Sequence, residues 1–122
     1  MDPKTAAQLL ALGRTGMGFL LLAAPERIVT PWVGPAGATT AGRLLGRVIG
    51  VRDLVVGLGQ LNALARGGDA RPWIVAGATC DAVDFVATWQ SRDELPTLGV
   101  AAVTVLGAGG AAAGAWLQSA VD

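Results

Sequence analysis

Apolar residues dominate four stretches of the chain, and turn-forming residues separate them. The stretches run from about Thr5 to Ala24, Ala41 to Ala65, Pro72 to Gln90 and Pro96 to Gln118. At 1.5 Å per helical residue, each approaches or exceeds the roughly 30 Å of a bilayer's hydrocarbon layer. The fourth is the plainest, because nothing from Leu95 to Val121 carries a charge. The pattern predicts an all-α protein: a single integral membrane domain over residues 1–122, folded as a four-transmembrane-helix bundle running up-down-up-down.

The separators carry their own signals. Pro25, Pro31 and Pro35 surround Trp32 and predict an irregular connection in the membrane interface over 25–39. Thr39 or Thr40 is placed to cap the second helix. Asp69 is placed to cap the third, whose first turn holds Pro72. Trp73 and Trp89 stand about 24 Å apart along that helix, which suits anchors at two interfaces. The N-terminal stretch reads as a genuine helix and not a secretory signal. Arg14 interrupts its apolar run, and Leu22 does not suit a small-residue cleavage site.

The second helix is the odd one. Gly42–Gly59 reads GRLLGRVIGVRDLVVGLG. On a helical wheel Arg43, Gly46, Arg47, Gly50, Asp53 and Gly57 share an arc of roughly 140°, and Arg52 falls on the aliphatic side opposite. Gly42, Gly46 and Gly50 have the spacing that admits another helix closely. Arg47, Arg52 and Asp53 together would cost on the order of 8–10 kcal/mol at the bilayer centre. The eleven Leu, Ile and Val residues from Leu44 to Leu64 return only roughly 3–6 kcal/mol. The helix therefore needs neighbours of opposite charge, or a wet cavity. Arg14 lies on the small-residue face of the first helix with Ala7, Ala11 and Gly18. Asp81 and Asp84 lie one turn apart on the third, on a face shared with Gly77, Cys80 and Thr88.

Composition sharpens this picture. Charged residues make up 15% of the chain, against roughly 25% in soluble domains. The formal net charge is zero, which leaves no basic field for nucleic acid. Cys80 is the sole cysteine, and histidine is absent. An internal disulfide and the usual zinc, haem and Ser-His-Asp constellations are thereby excluded. No phosphate-binding glycine motif is present, so no metal and no cofactor is expected. Arginine far exceeds lysine among abundant Ala, Gly and Val, which points to a GC-rich bacterial genome and a multi-pass protein of the inner, cytoplasmic membrane. Lys4, Arg66 and Arg71 on one side nearly balance Arg27 and Arg92, with Arg43 close to them, on the other, so the orientation rule comes close to a tie and favours cytoplasmic termini or dual topology.

Ionisable residues at membrane depth are functional candidates by default. Asp81 and Asp84 form the candidate catalytic pair, because one carboxylate suffices to pair an arginine and a second implies a further task. Arg14, Arg43, Arg47, Arg52 and Asp53 are the candidate ligand-binding residues. Four guanidiniums and three carboxylates would nearly balance. The blander account is that the pairs lock helices together, the glycines serve packing, the tryptophans anchor the interfaces and Cys80 fills space.

With Arg14, the run GRVIGVRD from Gly46 and the later Asp81 and Asp84, the chain resembles a group of small four-span integral membrane proteins of GC-rich bacteria. The resemblance covers nearly the whole chain, implies a compact helical membrane fold and implies no mechanism. In size the chain is similar to small multidrug exporters and dual-topology fluoride channels. Its residues differ: position 14 is Arg where the exporters need a carboxylate, and Phe19 and Phe85 are the only phenylalanines.

Three functions compete. The first is a pocket between the first three helices for a small amphipathic or lipidic ligand. In its enzymatic form, Asp81 or Asp84 acts as acid/base and Arg47 or Arg14 as an anion clamp, for isomerase, cyclase or epoxide-hydrolase-like chemistry. The second is a structural or accessory subunit of a membrane complex. The third is a small proton-coupled transporter or channel, for which four short helices favour a homodimer. The expected partners are the lipid bilayer and a small apolar or amphipathic ligand.

Overall fold

A computed structural model describes residues 1–121. Those residues form helices and turns, with no strand among them. Helix α1 spans Pro3–Ala23, with Pro3 in its first turn and the Asp2 carboxylate accepting from the Thr5 N–H at 3.2 Å. It stops before Pro25, whose ring disfavours a helical residue ahead of it. Helix α2, Pro25–Val33, and a tight turn, Gly34–Ala38, follow. The expected irregular connection over 25–39 is therefore corrected. Pro25 and Pro35 each sit in a first turn, where the missing N–H has no partner to lose, and Pro31 removes a single bond near the end of α2. Gly34 has φ +84°, a value that calls for glycine, and it turns the chain out of α2.

Helix α3, Thr40–Ala65, is capped by Thr39, whose hydroxyl accepts from the Gly42 N–H at 3.1 Å. Gly67 at φ +67° ends it, with the Gly68 N–H returning to the Ala63 carbonyl at 2.9 Å. Helix α4 spans Arg71–Gln90. Its cap position is Ala70 and not Asp69. The Asp69 carboxylate instead takes the Arg71 N–H and guanidinium, and those hydrogen bonds hold its pKa below the usual carboxylate value. Helix α5, Thr97–Val103, passes through a π turn, Thr104–Ala108, into α6, Gly109–Ala120. Together they make one helical run of 24 residues.

Small residues set the packing. The Gln60 amide donates to the Ala7 carbonyl at 2.9 Å, Gly57 lies against Ala11 and Thr15, and Gly18 lies against Gly50 and Leu54. Helix α1 thus runs antiparallel along α3. A Cβ at Gly18 would stand 2.7 Å from the Leu54 nitrogen, so only glycine allows this approach. Trp73 of α4 covers Gly59 of α3, and Gly114 of α6 lies on Ala78 of α4. One end is sealed by Ala7, Leu64, Ala70, Ile74, Leu117 and Val121.

Large apolar side chains point the other way. Leu12, Phe19, Leu44, Val48, Val83 and Val105 are all more than half exposed, while much of the interior is Ala, Gly, Thr, Gln and Asp. That distribution inverts the pattern of a water-soluble domain. Three helical runs are long and apolar enough to cross a membrane: Pro3–Ala23, Thr40–Ala65 and Thr97–Ala120. Helix α4, with two aspartates in its middle, is not among them.

Candidate functional site

Five ionisable side chains from three helices meet at mid-length. Arg14 of α1 grips Asp81 of α4 with both terminal nitrogens: Nη1 donates to Oδ1 at 3.1 Å and Nη2 to Oδ2 at 2.6 Å. Arg52 of α3 grips Asp84 in the same way, at 2.9 Å and 2.7 Å. Planar forks of this kind suit a carboxylate better than any lysine contact. Asp53 stands between the two forks. Its Oδ1 accepts from Arg52 Nε at 3.3 Å and Nη2 at 3.2 Å, and lies 3.6 Å from Arg14 Nη1. Its Oδ2 accepts no hydrogen bond among the described residues.

Local sequence makes room for these groups. Gly77 leaves space for the Arg14 guanidinium, since a Cβ there would lie 2.9 Å from Nη2. Gly110 leaves space for the Asp81 carboxylate, and Gly107 for the Asp81 backbone. Gly107 belongs to the π turn, so the departure from α geometry lies directly against Asp81. The Arg14 side chain is only 7% exposed, and its Nε has no hydrogen-bond partner among the described residues.

The structure brings together Arg14, Arg52, Asp53, Asp81 and Asp84, and leaves Arg43 and Arg47 out. Arg43 sits at the start of α3 and donates to the Ala38 carbonyl at 2.7 Å, with Glu26 at 3.5 Å. Arg47 is exposed and has no ion pair among the described residues. The expected anion clamp at Arg47 is thus corrected, as is the placement of Arg52 on the lipid side. The reason lies in the wheel itself. The buried residues of α3 are Gly42, Gly46, Gly50, Asp53, Val56, Gly57, Gln60 and Leu64. Arg47 and Arg52 stand roughly 110° to either side of the centre of that arc. Helix α4 packs on the Arg52 flank, and the long side chain reaches round to Asp84.

A cavity of about 670 Å³ opens onto this cluster. Arg14, Asp53, Asp81 and Asp84 form its polar floor. Its walls are apolar: Leu9 and Met17 from α1, Ile28 and Trp32 from α2, and Leu98 and Leu106 from α5 and the π turn. Sequence patterning placed neither the segment of α2 nor the C-terminal apolar stretch in the pocket, because neither contributes an ionisable wall residue. Trp32 is fixed by its indole N–H donating to the Thr88 hydroxyl at 3.0 Å, which ties α2 to α4. That tryptophan lines the cavity in addition to any interfacial role. A shallower groove of about 620 Å³ runs between α4 and α6, along Ala78, Ala82 and Gly114, and no charged side chain lines it.

The arrangement assigns the carboxylates different chemistry. Asp81 and Asp84 each have both oxygens committed to arginine. Asp53 keeps one oxygen uncommitted at the cavity wall. Among the described residues no cluster of His, Cys, Asp and Glu has the makings of a metal site. No family model matches the chain, and neither does any curated protein or solved structure.

Proposed function

We propose that this is a four-span protein of a bacterial cytoplasmic membrane, running up-down-up-down, that binds a small amphipathic or lipidic ligand in the cleft between α1 and α5. The observation that carries the reading is the cavity of about 670 Å³ with apolar walls and a floor of Arg14, Asp53, Asp81 and Asp84. A space of that size, mostly apolar with a few convergent polar groups, has the character of a small-molecule site. Leu9, Leu98 and Leu106 line it and are also 52%, 75% and 62% exposed, which supports a mouth facing lipid.

The span beyond the three plainly apolar ones is α4. On composition alone it is too polar to insert. Yet Asp81 and Asp84 are held by arginines from α1 and α3, and α4 packs along α3 through Trp73 and along α6 through Ala78. At 20 residues, about 30 Å, it matches the hydrocarbon thickness. A helix paired at this depth with its neighbours shares their depth in the bilayer.

A second reading is acid/base catalysis on the bound ligand, and the uncommitted Asp53 Oδ2 favours it. Protonation of an alkene or epoxide, or activation of water, needs a carboxylate free to exchange a proton with the ligand. Asp53 meets that need better than Asp81 or Asp84, whose four oxygens are occupied. A through-path for transport finds less support, because the apolar cluster around Ile74 and Leu117 closes one end.

The experiment is ligand binding by purified protein in lipid nanodiscs, read by thermal unfolding and native mass spectrometry against a panel of apolar and amphipathic compounds. Binding that disappears when Ala102→Trp fills the cleft is the expected result. Indifference of every compound to that substitution would remove the assignment. For the catalytic reading, turnover of any bound epoxide or alkene stops in Asp53→Asn.

A further inference from the structure

We infer that the cavity selects a cationic amphiphile, with an ammonium-type headgroup against Asp53 and an apolar tail along α1 and α5. This inference rests on the pocket reading above and names the class of ligand. It begins with charge. Two guanidiniums, Arg14 and Arg52, face three carboxylates, Asp53, Asp81 and Asp84, so with all five groups ionised the cluster carries one formal negative charge in excess.

Nothing on the other walls cancels that charge. Helix α2 presents Ile28, Pro31 and Trp32, and α5 presents Leu98, Ala102 and Val103. Arg43 is engaged at the start of α3, and Arg47 is exposed outside the cluster. The excess also has an address. Asp81 and Asp84 are each covered at both oxygens, whereas Asp53 spends Oδ1 on both arginines and leaves Oδ2 without a hydrogen bond. Asp53 is only 7% exposed, yet it lines the cavity. Arg52 does not line it, so a ligand meets one guanidinium and three carboxylates.

Excess charge in a largely buried cluster is unfavourable, and an opposite charge within about 4 Å in a medium of low dielectric relieves it strongly. An ammonium group fits that requirement. A carboxylate or phosphate headgroup would face three carboxylates, and a neutral headgroup would leave the excess in place.

The test uses a matched series with one tail: decylammonium, decanol and decanoate at neutral pH. Binding to the protein in zwitterionic nanodiscs is measured by native mass spectrometry and thermal unfolding, with protein-free discs to subtract partition into lipid. Decylammonium is expected to bind about tenfold or more tighter than either analogue. Asp53→Asn removes the excess charge and is expected to bring decylammonium and decanol to similar affinity. Decanol or decanoate binding as well as decylammonium overturns the cationic assignment and leaves the pocket standing. An unchanged preference in Asp53→Asn, or decylammonium binding that survives Ala102→Trp, overturns it too. Failure of all three probes overturns the pocket reading itself. The wild-type series decides the matter even if a variant does not fold.

Discussion

Asp53 and Arg47 show how much rides on a single side chain. Both belong to the polar arc of α3, yet one is nearly buried between two arginines and the other stands exposed. Truncating an exposed ionisable residue and one held in the buried cluster should therefore differ sharply. Arg47→Ala is expected to change stability by less than about 0.5 kcal/mol, as surface substitutions do. Asp81→Ala strands Arg14, whose side chain is 7% exposed, and is expected to cost about 3–5 kcal/mol. Arg14→Met combined with Asp81→Leu removes both charges and should be milder than the sum of the single changes. Denaturant unfolding in a fixed detergent measures these variants together with the Arg14→Met and Asp81→Leu single changes. Equal effects of Arg47→Ala and Asp81→Ala would contradict the arrangement described above.

Among the helices, glycine has two distinct jobs, and alanine scanning separates them. Gly110 and Gly77 leave space for the Asp81 carboxylate and the Arg14 guanidinium, whereas Gly13 and Gly109 have nothing within 4 Å of an added Cβ. Gly110→Ala and Gly77→Ala are expected to destabilise by about 1–3 kcal/mol, because a methyl group displaces the ion pair. Gly13→Ala and Gly109→Ala are expected to be neutral or to stabilise by up to about 1 kcal/mol through helix propensity. Melting temperatures of the four variants report the contrast. The turn between α3 and α4 carries a pH signature of its own. Asp69 has a folded pKa below its unfolded value, so its contribution is present above the unfolded pKa and fades as pH falls through the folded one. Both partners are about half exposed, so the effect on overall stability is small. A carboxyl NMR titration is expected to place Asp69 below the ordinary carboxylate midpoint near 3.9. A midpoint at or above that value would mean the Arg71 contacts do not persist in solution.

For the molecule as a whole, the number of spans turns on α4. Three spans would put the two termini on opposite sides of the membrane, and four put them on the same side. Reporter tags at each end are expected to register one compartment. Opposite compartments would remove α4 from the bilayer and with it the four-span proposal. Asp81→Leu with Asp84→Leu should raise the insertion of α4 taken as an isolated segment, since each Asp costs about 2.5–3.5 kcal/mol at the helix centre. In the full chain the same pair of changes strands Arg14 and Arg52.

Much of this protein was readable from its residues alone. Low charge, long apolar runs and capping residues such as Thr39 specify helices, and three of those helices are long and apolar enough to cross a membrane. Arg14, Asp81 and Asp84 stood out because each puts a charge inside a long apolar run, a feature belonging to one helix at a time. Packing alone decided the rest. The wheel puts Arg47 inside the polar arc of α3 and Arg52 opposite it, yet the arc that packing buries is shifted, so that the two flank it at nearly equal angles. The side on which α4 lies makes Arg52 a partner and leaves Arg47 outside. That choice turns a near-balanced set of charges into an acidic one. It also leaves α5, which carries no charge to draw attention, as a wall of the cavity. Periodicity is a property of a single helix, whereas the charge of a cavity belongs to the several helices that enclose it.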